Sequence, residues 1–295
     1  MGYLFLFTAV FAGAAKGYFG KRTSAHLDGT HSAVVATLIR MLFCIAVGAV
    51  IVFATGEASQ LLPDGKFLLI CALSGAATAV FLASWLISIH SNAYMMVNIF
   101  LMLGVLIPLF GCDLCYGEAV RPVQWVGVAL LFAALFLMYS YNKGFRAKIS
   151  LASLLLLLLC GVAYGLADFS QKIFTKEFPQ GSVAVFHFYT FLFAAGILAV
   201  LCLFTRKEKK ENAVFPLKKV LWFIFAMALC LFLNAYLKTL ASHHLSAVLL
   251  YPLSQGGSLI LSTFMSAFLF REKITRKALC GIACAFAALL IINLA

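Results

Sequence analysis

Three charged side chains, Lys16, Arg40 and Asp168, stand inside stretches that are otherwise apolar. Charge in such surroundings is costly and is set against protein or water. A lysine there offers an attachment point for an anionic or zwitterionic solute. The alternative for Lys16 is to snorkel toward Lys21 and Arg22. Asp168 can carry a coupling proton, pair with Lys16, or form an i,i+4 pair with Lys172, and the spacing favours the last. Tyr164 precedes Asp168 by one helical turn, so the two share a face.

The uncharged polar residues also fall into faces. Tyr251, Ser254, Gln255, Ser258 and Ser262 recur at i, i+3, i+4, i+7 and i+11. Gly256 and Gly257 flank that face, and Pro252 weakens the backbone ladder beside it. It reads as a cavity wall with a flexible point, or as helix–helix contact through small residues. A similar stripe joins Ser74, Thr78, Phe81, Trp85 and Ser88. Trp85 serves either as an interface anchor or as a stacking platform. Tyr94 and Asn98 are one turn apart, and Asn234 stands alone. Pro108 and Pro252 are expected in the same leaflet, where two kinks would form a gate.

The elements that must hold these residues are membrane helices. Of 295 residues, 64% are hydrophobic and 11% charged, with a mean hydropathy of +1.05. A soluble chain is about half apolar and a quarter charged, so a soluble domain and a disordered chain are both excluded. Ten apolar runs lie at roughly 2–19, 33–54, 66–88, 93–112, 123–141, 151–169, 182–204, 218–238, 245–270 and 278–294. They lack the sustained alternation of a transmembrane barrel, which leaves helices. The expected fold is an all-α membrane protein of ten transmembrane helices. The first run has no basic segment ahead of its apolar stretch, so it reads as a helix and not a signal peptide. The nine cysteines are an odd number lying mostly inside apolar runs, as packing residues do. Cys112 and Cys115 form a CxxC with no second CxxC to complete a metal site.

The net charge of +12 follows the loops. Fifteen of the 22 Lys and Arg residues fall in odd-numbered loops and five in even-numbered ones. This bias places the odd loops in the cytoplasm and both termini outside. The chain also repeats itself. At an offset of 154, residues 90–141 overlay 244–295 with ten identities in 52 pairs. These include His90/His244, Ala93/Ala247, Glu118/Glu272, Gly127/Gly281 and the block Phe132–Leu135 with Phe286–Leu289. Gly13/Gly17 in the first run match Gly161/Gly165 in the sixth as a GxxxG pair. Five spans per half make the second half, 146–295, insert upside down relative to the first, 1–145. That is the sequence signature of an inverted-repeat transporter with its site near the midplane.

These residues resemble the drug/metabolite transporter superfamily, in its ten-helix EamA-like branch. The resemblance covers nearly the whole chain. It rests on the five-plus-five layout, on Glu118 and Glu272 each followed nine residues later by Gly, on Arg40, and on Ala93 and Ala247. It implies solute transport by alternating access through a central cavity. Tyr164-Gly165 matches the family's aromatic–Gly pattern, whereas Lys16-Gly17 departs from it. By the same overlay Lys16 takes the place of Tyr164 on the cavity face. Arg40, Glu118 and Glu272 are implied as structural residues, Arg40 through backbone carbonyls or a carboxylate. The family keeps its termini in the cytoplasm, opposite to the charge bias.

Other chemistry fails on spacing. The segment 12–23 lacks the first Gly and the final Ser/Thr of a phosphate-binding loop. HExxH and GxSxG are absent, and a lipid-modifying enzyme would want clustered Asp and His that the spans do not supply. His187 reads as a packing or hydrogen-bonding residue, and His243-His244 as a solvated pair. The expectation is therefore a secondary transporter in the cell membrane, not an enzyme, for a small polar metabolite, amino-acid-like or anionic. A multidrug or cation exporter of the same fold is the alternative. The expected partners are the solute and the bilayer, with no nucleic acid, metal or cofactor. Small residues Gly281, Ala285 and Ala288 permit close packing, and monomer and homodimer both stay open.

Overall fold

In hydrocarbon a backbone must satisfy its own hydrogen bonds, and the apolar runs of this chain do so as helices. The computed structural model describes residues 1–27, 29–91, 94–139, 150–205, 217–270 and 276–294. In chain order the helices are α1 (Gly2–Ser24), α2 (Gly29–Ala54), α3 (Gly65–Ser91), α4 (Tyr94–Gly104), α5 (Leu106–Tyr116) and α6 (Pro122–Tyr139). They continue as α7 (Leu151–Glu177), α8 (Val183–Thr205), α9 (Leu217–Ser242), α10 (Ala247–Phe270) and α11 (Arg276–Leu294). A short 3-10 turn, Glu57–Leu61, joins α2 to α3. There is no strand among the described residues. Six helices are long and apolar enough to cross a membrane, and four shorter apolar segments complete the set: Phe100–Tyr116, Pro122–Ala134, Ala247–Leu261 and Leu279–Leu294. Within the described residues, each of the ten expected runs is helical over most of its length.

The fourth run is not one helix. It breaks at Val105 into α4 and α5. The cause is Pro108, which has no N–H for the Gly104 carbonyl and whose ring crowds that carbonyl. The run also continues past 112 to Tyr116, where Gly117 takes a left-handed φ of 64°. The Gly117 N–H bonds the Asp113 carbonyl at 3.1 Å and the Glu118 N–H bonds that of Cys112 at 3.2 Å. This paired cap fixes where Glu118 leaves the helix.

Glycines set the closest packing. A Cβ on Gly165 would lie 2.2 Å from the Gly104 oxygen, and one on Gly161 2.2 Å from the Phe100 oxygen. The second GxxxG therefore brings the backbone of α7 onto α4 beside the break. The α6–α11 pair closes in the same way, with Gly127 against Ala288 and Ile292. The small residues Ala285 and Ala288 are fully buried and are spent on this internal contact. Elsewhere α1 packs on α9 and α10, α7 on α3 and α4, and α2 on α8.

The surface is apolar. Leu4, Phe7, Phe53, Leu155, Leu203, Phe204 and Trp222 are exposed, whereas Arg40, Asp168, Lys172, Lys238 and His187 are buried. Hydrocarbon, not water, explains this inversion. It also corrects the loop count. Lys172 and Lys238 are buried inside α7 and α9 and are not loop residues.

Candidate functional site

Eight of the polar residues singled out by spacing converge on one place. Lys16 of α1, Trp85 of α3, Asn98 of α4, Tyr164 of α7, Asn234 of α9, and Ser254, Gln255 and Ser258 of α10 line a cavity of about 40 Å³. A second chamber of about 30 Å³ shares Lys16, Tyr164 and Asn234 with it and adds Thr78, Phe81, Asp168, Gln171 and Lys238. Each holds only about three waters or fewer, far below the several hundred Å³ of a ligand pocket.

The geometry follows from helical spacing. Tyr164, Asp168 and Gln171 lie on one face of α7, so a single helix supplies a ring, a carboxylate and an amide to the chambers. The Tyr164 hydroxyl donates to Gln255 Oε1 at 3.1 Å and ties α7 to α10 across the cavity. The glycine at Gly13 leaves the space that Asn234 Nδ2 and Ser258 Oγ occupy, 3.0 and 3.1 Å from where a Cβ would stand. Asn234 Nδ2 donates to the Ala9 carbonyl at 2.7 Å, an interhelical bond between α9 and α1.

The charges are arranged in pairs and singles. Asp168 is ion-paired to Lys238 Nζ, and both are buried. This overturns the expected i,i+4 pair with Lys172. A Lys172 side chain follows α7 toward its end, where it donates to the carbonyls of Ser242 and Leu245 at 3.1 and 2.8 Å and lies 3.3 Å from Glu118. Lys238 also stands 5.3 Å from the Tyr164 ring centroid. Its role was not visible in sequence, because at the end of an apolar run it reads as a loop residue. Asp168 Oδ2 keeps no hydrogen-bond partner. Lys16 Nζ rests over the rings of Phe81 and Trp85, at 5.6 and 5.8 Å, and has no carboxylate partner among the described residues. It does not snorkel away from the cavity.

Arg40 departs from the expected carbonyl or carboxylate partner. It is fully buried, Nη1 donates to Met227 Sδ at 3.3 Å, and its carbon Cζ lies 5.8 Å from the Trp85 centroid. Tyr251 lines neither chamber; its hydroxyl donates to the Asp168 carbonyl at 2.8 Å. Pro252 is buried inside α10, and Pro108 is buried in the first turn of α5. Ser74 and Ser88 complete the α3 stripe as buried hydroxyls without partners. The side chains of Tyr94 and Ser262, and the whole of Glu272, lie outside the described residues.

A second polar cluster closes the side of the even loops. Glu118 accepts from Lys176 Nζ at 2.7 Å and from the Ala247 N–H at 2.7 Å, at the first residue of α10. Burial raises its carboxyl, but the bonds from Lys176 and Ala247 and the charges of Lys172 and Lys176 outweigh that and hold it below the usual range. Nearby His243, half-buried in the turn before α10, is pushed below the usual imidazole range by burial, His244 and Lys172. His187 behaves as a packing residue, bonded to Thr239 Oγ1 at 2.9 Å among aromatic rings.

Comparison with known proteins bears on this arrangement. Residues 151–294 match the EamA-like transporter family. No curated protein matches the chain. Among solved structures, 28 chains match. One, a crystal structure of a protein, superposes with a TM-score of 0.78 at 14% identity, covering 99% of this chain and 96% of that one. At that identity the likeness concerns the fold alone. The apolar helical bundle makes this chain a multi-pass integral membrane protein, and the stretch of it that matches the EamA-like transporter family is residues 151–294.

Proposed function

We propose that the chain is a secondary transporter that carries a small polar metabolite, amino-acid-like or anionic, across the cell membrane by alternating access. The observation that carries this reading is the polar cavity itself. Lys16, Asn98, Tyr164, Asn234, Ser254, Gln255 and Ser258 come from five helices of both halves and meet inside a bundle whose outer face is apolar. Polar groups so placed within a membrane mark a solute path.

The two halves, 1–145 and 146–295, act as inverted repeats around that cavity. Reciprocal packing supports this: α1 lies on α9 as α7 lies on α3, and α1 lies on α10 as α7 lies on α4 and α5. The chambers are too small for a metabolite, so a solute enters only as the halves part. Pro108 and Pro252 supply the yielding points, and Glu118 anchors the start of α10. The charge bias places both termini outside.

A cation exporter of the same fold is the second reading, favoured by the aromatic rings of Phe81, Trp85 and Tyr164. Those rings already carry Lys16 and Lys238 as their cations. Counterflow in proteoliposomes with a solute panel tests the choice. Saturable exchange of an anionic or amino-acid-like solute, reduced in Lys16→Ala and Asp168→Asn, is expected; saturable uptake of quaternary ammonium compounds alone would overturn it.

A further inference from the structure

Arg40 is a fully buried cation with no carboxylate partner among the described residues. Its side chain is fully buried in α2, and of its three nitrogens only Nη1 has a partner, the thioether of Met227. Nε and Nη2 have no acceptor among the described residues. Those two nitrogens form one edge of the guanidinium, the edge that grips a carboxylate or a phosphate with two parallel hydrogen bonds. A guanidinium cannot shed its proton to escape burial. A buried fork of this kind is suited to an anion.

The surroundings repeat the point. The buried Asp168 is taken by Lys238. Lys16 stands over the rings of Phe81 and Trp85, and the Trp85 indole is one that Arg40 also faces, each cation 5.8 Å from its centroid. Two cations thus gather around one indole, and the carboxylate nearest Lys16 among the described residues, Asp168, is shared with Lys238. Trp85 lines the cavity, whereas Arg40 does not. The indole is held at its tip by Gly20, where a Cβ would lie 2.3 Å from Cη2. For a solute to reach Arg40, this ring must swing aside.

We propose that Arg40 is a solute-binding residue, and that its Nε–Nη2 edge and Lys16 receive the two charges of a small dianion, a dicarboxylate or a phosphate monoester, once Trp85 yields. This rests on the transporter reading for its biology but is tested without transport. Two cations call for two negative charges. A zwitterion brings none in net, and a cation would add a third positive charge.

The test is binding to the purified full-length protein in detergent, read by calorimetry and by thermal unfolding, with succinate, inorganic phosphate, serine and tetraethylammonium as probes. Succinate or phosphate is expected to bind and to raise Tm, with serine and tetraethylammonium at least tenfold weaker. Whichever dianion binds tighter tells dicarboxylate from phosphate. Arg40→Lys, which keeps the charge and loses the fork, is expected to weaken the dianion tenfold or more, and so is Lys16→Gln. Arg40→Met is expected to match or exceed the wild-type Tm in anion-free buffer, since it removes an unpaired buried charge. Should that variant fail to fold, Lys16→Gln and Arg40→Lys still decide. No dianion binding, binding indifferent to both variants, or tighter binding of serine would each overturn the proposal. Serine counterflow without dianion binding sinks this proposal and leaves the transporter. Dianion binding without counterflow of any solute sinks the transporter and leaves the receptor.

Discussion

Glu118, in the loop after α5, accepts a hydrogen bond from the backbone N–H of Ala247, the first residue of α10, at 2.7 Å. A carboxylate at a helix N-terminus meets both an unsatisfied N–H and the positive end of the helix dipole. The same carboxylate gathers Lys176 and Lys172 from α7. One residue therefore ties three helices together on the even-loop side, next to the Pro252 segment.

The sign of its pH dependence follows. The folded carboxyl is held below its ordinary range, so its contribution is complete above the unfolded value of about 4.3 and is lost as pH falls through the lower folded value. Glu118→Gln should lower stability by about 1–3 kcal/mol at neutral pH. The gap to wild type should narrow below about pH 4.3. Thermal unfolding in detergent from pH 3 to 7 measures both, and a gap that is constant across this range would contradict the assignment.

Asp168 and Lys238 should behave as a unit. Removing one partner leaves the other charge buried without compensation, at a cost of about 3–5 kcal/mol. Lys238→Met and Asp168→Asn are each expected to lower Tm markedly, and the double variant to cost much less than the sum. Additive losses in the double-variant cycle would mean that the two side chains act independently.

The contact of α7 with α4 admits no side chain. Gly165→Ala must push α7 away from the Gly104 oxygen and should cost about 1–3 kcal/mol. Gly196, in α8, has open space where a Cβ would stand. Gly196→Ala should be neutral or gain up to about 1 kcal/mol. Equal effects at the two sites would remove the close approach as the reason for the second GxxxG.

Pro252 denies the Val248 carbonyl its helical partner and keeps α10 able to bend beside Ser254 and Gln255. Pro252→Ala restores that bond. Turnover in proteoliposomes should fall several-fold while Tm holds or rises. Unchanged transport kinetics would remove Pro252 from the gate.

Much of this protein was legible in one dimension. Hydrophobic runs of helix length, with no water to satisfy a bare backbone, leave only helices, and the ten runs give eleven helices because the fourth divides in two. Period 3.6 then put Ser254, Gln255 and Ser258 on one face of α10, and Tyr164 with Asp168 on one face of α7, because side-chain direction along a helix is a local property. Pro108 marked a kink in the fourth run for the same reason, though not that the run divides into two helices. What sequence could not decide was which face meets which. Lys238 lies 70 residues from Asp168, and Lys172, four residues away, was the better guess until α9 crossed α7. The loneliness of Arg40 is also a tertiary fact: a guanidinium can find carbonyls or carboxylates from any helix, and only the packed bundle shows that two of its nitrogens find none among the described residues. Spacing fixes the faces; long-range contacts, which carry no local signal, choose the partners.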